Sequence, residues 1–107
     1  MRPLFGLVLA MLVTASCLGP KPQVRSATVA DPKEGKASVT VVIANTNSGD
    51  GQVEVKVTLK QGEDVVGRAE ETAEIKERET ITLVIEVDVP DDAHDLKVEA
   101  EAVYPPD

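Results

Sequence analysis

Aromatic side chains are almost missing from this 107-residue chain: there is no tryptophan, and Phe5 and Tyr104 are the only Phe and Tyr. Carbohydrate recognition by ring stacking and protein recognition through an aromatic hot spot both lose their usual residues. Phe5 lies in an N-terminal apolar run. The core therefore has to be built from Val, Ile, Leu and Ala, with Tyr104 as its one aromatic member. Histidine is equally scarce. His94 stands alone, which excludes a histidine pair on a metal, and its acidic neighbours Asp92 and Asp95 make it no base for a serine. No glycine-rich loop opens a helix to cradle a phosphate. Basic residues are outnumbered, 11 Lys and Arg against 19 Asp and Glu, for a formal net charge of −8. That argues against nucleic acid, whose phosphates need clustered cations, and against a domain lying flat on anionic lipid. Such charge keeps a surface solvated; it also suits a cationic protein partner. The many carboxylates alternate outward along strand-like segments instead of converging in a cleft, as acid–base chemistry requires. The chain is expected to be no enzyme and to need no cofactor.

Long apolar runs are missing too. The stretch from Leu4 to Val13 falls short of the roughly 20 residues that cross a bilayer as a helix, and Gly19-Pro20 follows it. A cationic start (Met1-Arg2-Pro3), a short apolar core and small residues after it are the parts of an export signal. Cysteine occurs once, at Cys17, so no internal disulfide can form in an oxidising compartment. Thr14-Ala15-Ser16-Cys17 resembles the lipobox of bacterial lipoproteins, with Thr14 where leucine is usual and Leu12 and Val13 close by. The resemblance implies cleavage before Cys17, a diacylglycerol on its thiol and a place in the cell envelope, anchored to a bacterial membrane at its periplasmic or surface face. It divides the chain into a signal peptide at 1–16, a lipidated cysteine with a Pro-containing tether at 17–23, and a domain at 24–107. Two outcomes compete. Ordinary signal cleavage around Ala15 or Ser16 would leave a soluble periplasmic protein with a free thiol, and an uncleaved segment would be a membrane helix.

From Val24 onward the apolar period is two, the signature of strands with one buried and one wet face. Val53, Val55, Val57 and Leu59 alternate with Glu54, Lys56, Thr58 and Lys60. Ile81, Leu83, Ile85, Val87 and Val89 form a second stripe, and Leu96, Val98, Ala100, Ala102 and Tyr104 a third. Val39, Val41 and Ile43 make a fourth, while Val42 and Ala44 leave the reverse side partly apolar. Val24 to Ala30 alternates weakly and suits an edge strand. Turn residues separate the runs at Asp31–Gly35, Asn45–Gly51, Gln61–Glu63 and Pro90–Asp95. The Gln61-Gly62-Glu63 turn predicts a hairpin with Leu59 opposite Val65. Breaks at this spacing point to an all-β chain, a small antiparallel β-sandwich of about six or seven strands.

Arg68 to Arg78 carries conflicting signals. Its strong helix formers and the Glu74–Arg78 spacing fit a helix. Ala69, Ala73 and Ile75 also continue one strand face from Val65 and Gly67, with Glu71 turned inward at a bulge or an edge. Strand is the preferred assignment, because Gln52–Lys60 otherwise lacks a hairpin partner.

Two loops hold the candidate binding residues. Asn45, Asn47 and Asp50 superficially suggest a calcium loop, but Lys56 stands where the twelfth-position acid belongs. A turn rich in residues tolerant of left-handed backbone accounts for them. Asp91, Asp92, His94 and Asp95 form an acidic cluster around the lone histidine, either a weak cation site or a solvated turn.

The stretch Val39 to Val87 resembles bacterial immunoglobulin-like modules of the FxLYD and CARDB kind. The likeness is carried by Val41-Val42-Ile43-Ala44-Asn45-Thr46-Asn47, by Val53 to Leu59, by Val65-Val66-Gly67 after a hairpin turn, and by Glu79-Thr80 opening the next apolar strand. Such modules imply a sandwich used for adhesion, scaffolding or subunit contact, without catalytic residues. The expected function is a membrane-anchored, non-catalytic module that binds an envelope protein or serves structurally. A periplasmic carrier of a small ligand or cation, and an acidic inhibitor of a basic enzyme, are the alternatives.

Overall fold

Alternation with period two becomes six strands: β1 (Pro22–Val29), β2 (Lys36–Asn45), β3 (Gly51–Gln61), β4 (Asp64–Ile75), β5 (Thr80–Asp88) and β6 (Leu96–Val103). The computed structural model describes residues 19–106. The segment 1–16, expected to be a signal peptide, and Cys17, the expected lipidation site, lie outside the described residues. The strands form two antiparallel three-stranded sheets, ordered β1-β2-β5 and β4-β3-β6. In an immunoglobulin-type sandwich β1, β2 and β5 would be strands A, B and E, and β3 and β6 strands C and F, with β4 added beside C. Among the described residues no seventh strand lies beside β6.

The core is aliphatic and centred on the two middle strands. Val39, Val41 and Ile43 of β2 and Val53, Val55, Val57 and Leu59 of β3 are buried, and Ile75, Ile85 and Val87 pack with them. Each such side chain contributes about 1.5–3 kcal/mol of burial. Inward residues of the outer strands, such as Val24, Leu83 and Val98, are only partly buried. The middle of the sandwich therefore carries most of the apolar stabilisation.

Two bulges set the phase of the edges. β1 pairs Val24 with Ile43 and Ser26 with Val42, leaving Arg25 as the extra residue. Its inward residues become Val24, Ala27 and Val29, which explains the weak alternation and places β1 at a sheet edge. In β4, Lys60 pairs with Val65 and Leu59 with Gly67, so Val66 is the extra residue. The expected pairing of Leu59 with Val65 is thus wrong. A turn of Gly62 and Glu63, with Gly62 at φ 66°, joins Gln61 directly to Asp64, and the bulge then shifts the partner of Leu59. Val65 lies opposite the outward Lys60 and is exposed, not on the inner face with Ala69.

The shift brings Gly67 inward, against the other sheet. A Cβ there would stand 2.7 Å from the Asp88 carbonyl oxygen and 2.9 Å from Val87 Cγ1. Only a residue without a side chain lets β4 approach β5 this closely.

Arg68 to Ile75 is strand, and the chain turns at 76–79 to enter β5. The carboxyl-bearing Glu71 lies opposite buried Val55, yet stays exposed because β4 is an edge. Tyr104 departs from expectation: it is 44% exposed and outside the core. Its ring covers Gly19, where a Cβ would collide with it, and borders Gly51, where a Cβ would be crowded at 3.0 Å by Tyr104 and Pro20. The stretch assigned to the tether also differs from expectation, since β1 starts at Pro22 and Gly19 and Pro20 are buried.

Candidate functional site

Strand direction separates the two candidate loops. β2 runs toward Asn45 and β3 leaves from Gly51, so Asn45–Asp50 lies at the end shared with the entering chain at Gly19–Lys21 and the turn at 76–79. The β1–β2 and β3–β4 hairpins and the Pro90–Asp95 loop occupy the opposite tip. With β3 spanning eleven residues, the two ends are roughly 35 Å apart.

At the entry end Asn45 is, among the described residues, the one buried polar side chain, at 3% exposure. Its Oδ1 accepts from the backbone N–H of Lys21 (2.9 Å) and of Asn47 (3.0 Å). Its Nδ2 donates to the carbonyls of Gly49 (2.7 Å) and Lys76 (3.0 Å). Both lone-pair directions and both N–H groups of the amide are used, which is the full capacity of an asparagine side chain. One residue thereby ties three segments distant in sequence: the entering chain, its own loop and the 76–79 turn. Around it, Asn47 Nδ2 donates to the Gly19 carbonyl (2.9 Å), and the Glu77 N–H donates to Asp50 Oδ1 (2.7 Å). Thr46 N–H donates to the Lys21 carbonyl, and Arg78 N–H to that of Asn47. Asn45, Asn47 and Asp50 are brought together as a clasp that closes the fold.

At the opposite tip the groups face water. His94 and its neighbours Asp91, Asp92 and Asp95 are all exposed. The loop is held by the backbone: Ala93 N–H donates to the Pro90 carbonyl (3.0 Å), and His94 N–H to Gln61 Oε1 (2.9 Å). His94 Nδ1 lies 3.0 Å from the Asp92 carbonyl oxygen. Asp91 reaches over the Glu34-Gly35 turn, where a Cβ on Gly35 would come within 3.1 Å of Asp91 Oδ1. That turn has φ of 56° and 77°, the two-residue type whose twist suits a hairpin. Glu34, Glu63 and Asp64 are exposed at this same tip. Among the described residues no group of three or more His, Cys, Asp or Glu could hold a metal ion.

The tip's edge carries one resolved electrostatic pair. Lys36 Nζ meets Asp88 Oδ1 at 2.7 Å in the open. The hydrogen bond to Asp88, and then its charge, hold the lysine above its ordinary value.

The outer faces of the two sheets differ in chemistry. A hollow of about 470 Å³ on the β4-β3-β6 face is walled by Lys56, Arg68, Glu70, Glu99 and Glu101. Lys60 Nζ meets Glu99 Oε2 at 3.1 Å beside it. The β1-β2-β5 face instead presents Ser, Thr and Val over its entry half, including Thr40 opposite Val84, with Lys36, Glu86 and Asp88 toward the tip, and Val84 is 62% exposed.

Lys21, Lys76 and Gln61 are the participants that the sequence does not reveal. They act through backbone groups or across 24, 31 and 33 residues, and no local pattern marks such partners. No family model and no curated protein matches the chain.

Proposed function

We propose that this protein is a non-catalytic module of a bacterial envelope, held at a membrane by a lipid on Cys17, whose sandwich offers its far tip to another protein. The observation that carries this reading is the place where the chain enters the fold. Cys17 precedes Gly19 by only two residues, and Gly19 and Pro20 are already buried under the loops of the Asn45 end. A lipid on Cys17 would seat that end against the bilayer, with no free tether between. The Asn45 loop would then face the membrane, and the tip with Asp91, Asp92, His94 and Asp95 would point away from it. The same reading takes the sandwich as a module of the FxLYD and CARDB kind.

The acid residues crowded at that tip favour a partner surface rich in Lys or Arg, met by long-range attraction that salt weakens. They also support a second reading, an acidic inhibitor of a basic enzyme. The two differ in the N-terminus they require.

Intact mass of the protein from the membrane fraction of its own host tests the proposal. Residues 17–107 plus a diacylglycerol, with or without a further acyl chain, is the expected result. A soluble form cut near Ala15 or Ser16 with a free thiol would overturn the anchored module and leave a diffusible acidic binder.

A further inference from the structure

We propose that β5 is a self-association edge: two copies of this chain join their β1-β2-β5 sheets through antiparallel pairing of β5 with β5 of the second copy. A sheet edge presents a row of unpaired backbone groups, and monomeric proteins blunt such edges with bulges, prolines or charges. Three of the four edges here are blunted. β1 starts at Pro22 and bulges at Arg25. β4 bulges at Val66 and turns Glu71 inward. β6 alternates Lys97, Glu99 and Glu101, and β1 packs beside it. Among the described residues β5 has neither bulge nor proline, its charges Glu86 and Asp88 stand only at its far end, and β4 packs beside it there. Its register with β2 is continuous from Thr80 to Asp88, and Thr80-Ile81-Thr82-Leu83-Val84-Ile85 contains no charge, proline or glycine. Six residues of high β-propensity and no charge are the composition that pairs strands between chains.

Which backbone groups are free follows from the ladder. Asn45 N–H donates to the Glu79 carbonyl at one end and Val89 N–H to the Gly35 carbonyl at the other. Antiparallel alternation then gives Ile81, Leu83, Ile85 and Val87 to β2 and directs the N–H and C=O of Thr80, Thr82 and Val84 outward. Near Asp88 the edge is covered by Gly67 of β4. The open stretch is therefore Thr80 to Val84. A twofold axis at Thr82 uses that stretch on both copies, with Thr82 opposite Thr82 and Thr80 opposite Val84. It pairs Ile81 with Leu83 on the inner side and leaves Glu86 and Asp88 beyond the paired segment.

The edge's own sequence selects a second copy of the chain as the occupant: Thr80 to Val84 is uncharged and mates with itself about Thr82. The molecule carries a net −8, and two copies meeting on the charged β4-β3-β6 face would oppose like charges. The open stretch of the β5 edge adjoins the uncharged part of its face, Thr28, Thr40, Val42, Thr82 and Val84, so copies approach there without charges directly opposed. The like net charge of the two copies still repels across the axis, so added salt tightens the pair. An edge pairing this short buries much less than the ~1,600 Å² of a standard interface, so the dimer is weak and visible only in concentrated samples. The inference does not rest on the lipid anchor.

Sedimentation velocity of the full-length chain in density-matched detergent, across protein and NaCl concentration, reads the association. A monomer–dimer equilibrium whose dimer fraction grows with salt is expected. Thr82→Pro should abolish it while keeping the unfolding transition, because that N–H faces the edge and bonds nothing in β2. Val84→Lys, at an exposed site, should abolish it as well and serves if the proline variant fails to fold. In the wild type, hydrogen exchange at the Thr82 and Val84 amides should slow with concentration. A monomer at every condition overturns the proposal. So does a dimer that survives Val84→Lys with unchanged exchange at Thr82, which would place the contact elsewhere, the N-terminal apolar segment included.

Discussion

Asn45 shows how much one amide can hold. Four hydrogen bonds converge on a side chain that is almost wholly buried, so its removal strands several backbone groups away from water at once. Asn45→Ala should cost about 2–4 kcal/mol in urea unfolding. Asn47→Ala, at a half-buried site, should cost about 1 kcal/mol. Equal, small effects for both would mean that the clasp does not hold the entry end together. Gly67 is the opposite case, a residue chosen for what it lacks. Gly67→Ala places a Cβ within 2.7 Å of a backbone oxygen that cannot swing aside, and a loss of about 1–3 kcal/mol is expected. An unchanged thermal midpoint would show that the sheets part there without strain. The Lys36–Asp88 pair should matter little. Its lysine is raised in the folded state, so any stabilisation is full below the ordinary lysine range and fades as pH rises through the raised value. At neutral pH the pair is exposed and screened, and Lys36→Met should leave the urea midpoint in place.

Among the elements, the middle strands carry the fold and the edges adjust it. Val55→Asp puts an unpaired carboxylate into the centre of β3, a fully buried position, and should abolish cooperative folding. Leu83→Asp acts on an edge strand at a partly buried position, so it should destabilise strongly but less than Val55→Asp. Circular dichroism with urea titration ranks the two, and the reverse order would contradict the placement of β5 at an edge. The stripe Val53, Val55, Val57 and Leu59 was legible in the sequence because a central strand feels both neighbours in strict alternation. The bulges at Arg25 and Val66 were not. An extra residue shifts the phase of everything beyond it, and nothing within the strand itself announces where the ladder slips. That is why Val65 reads as inward from its spacing and stands outward in the sheet. Tyr104 escapes prediction for a related reason: its stripe leads to the end of β6, where Gly19 and Gly51 offer a surface that only the assembled fold creates.

For the whole molecule, the consequence of the chain's entry point is orientation. Under the anchored reading, the Asn45 end meets the bilayer and the Asp91–Asp95 tip stands roughly 35 Å away. Cys17 is the only cysteine, so a lipidated chain leaves an introduced thiol as the sole site for a probe. A fluorophore on Ser48→Cys should be quenched by quenchers attached to lipid headgroups in vesicles, and one on Glu63→Cys, at the exposed far tip, should not. Equal quenching at both sites would exclude an upright sandwich. Composition and periodicity alone determined that the chain is all-β, aliphatic in its core and acidic on its surface, since each of these is a property of residues and their near neighbours. The two acid- and amide-rich loops were visible as loops for the same reason. Only the tertiary structure separated them into a closed clasp and an open tip, because strand direction decides which turns share an end. It alone also left β5 as the unguarded edge, since a strand becomes an edge through what fails to pair beside it.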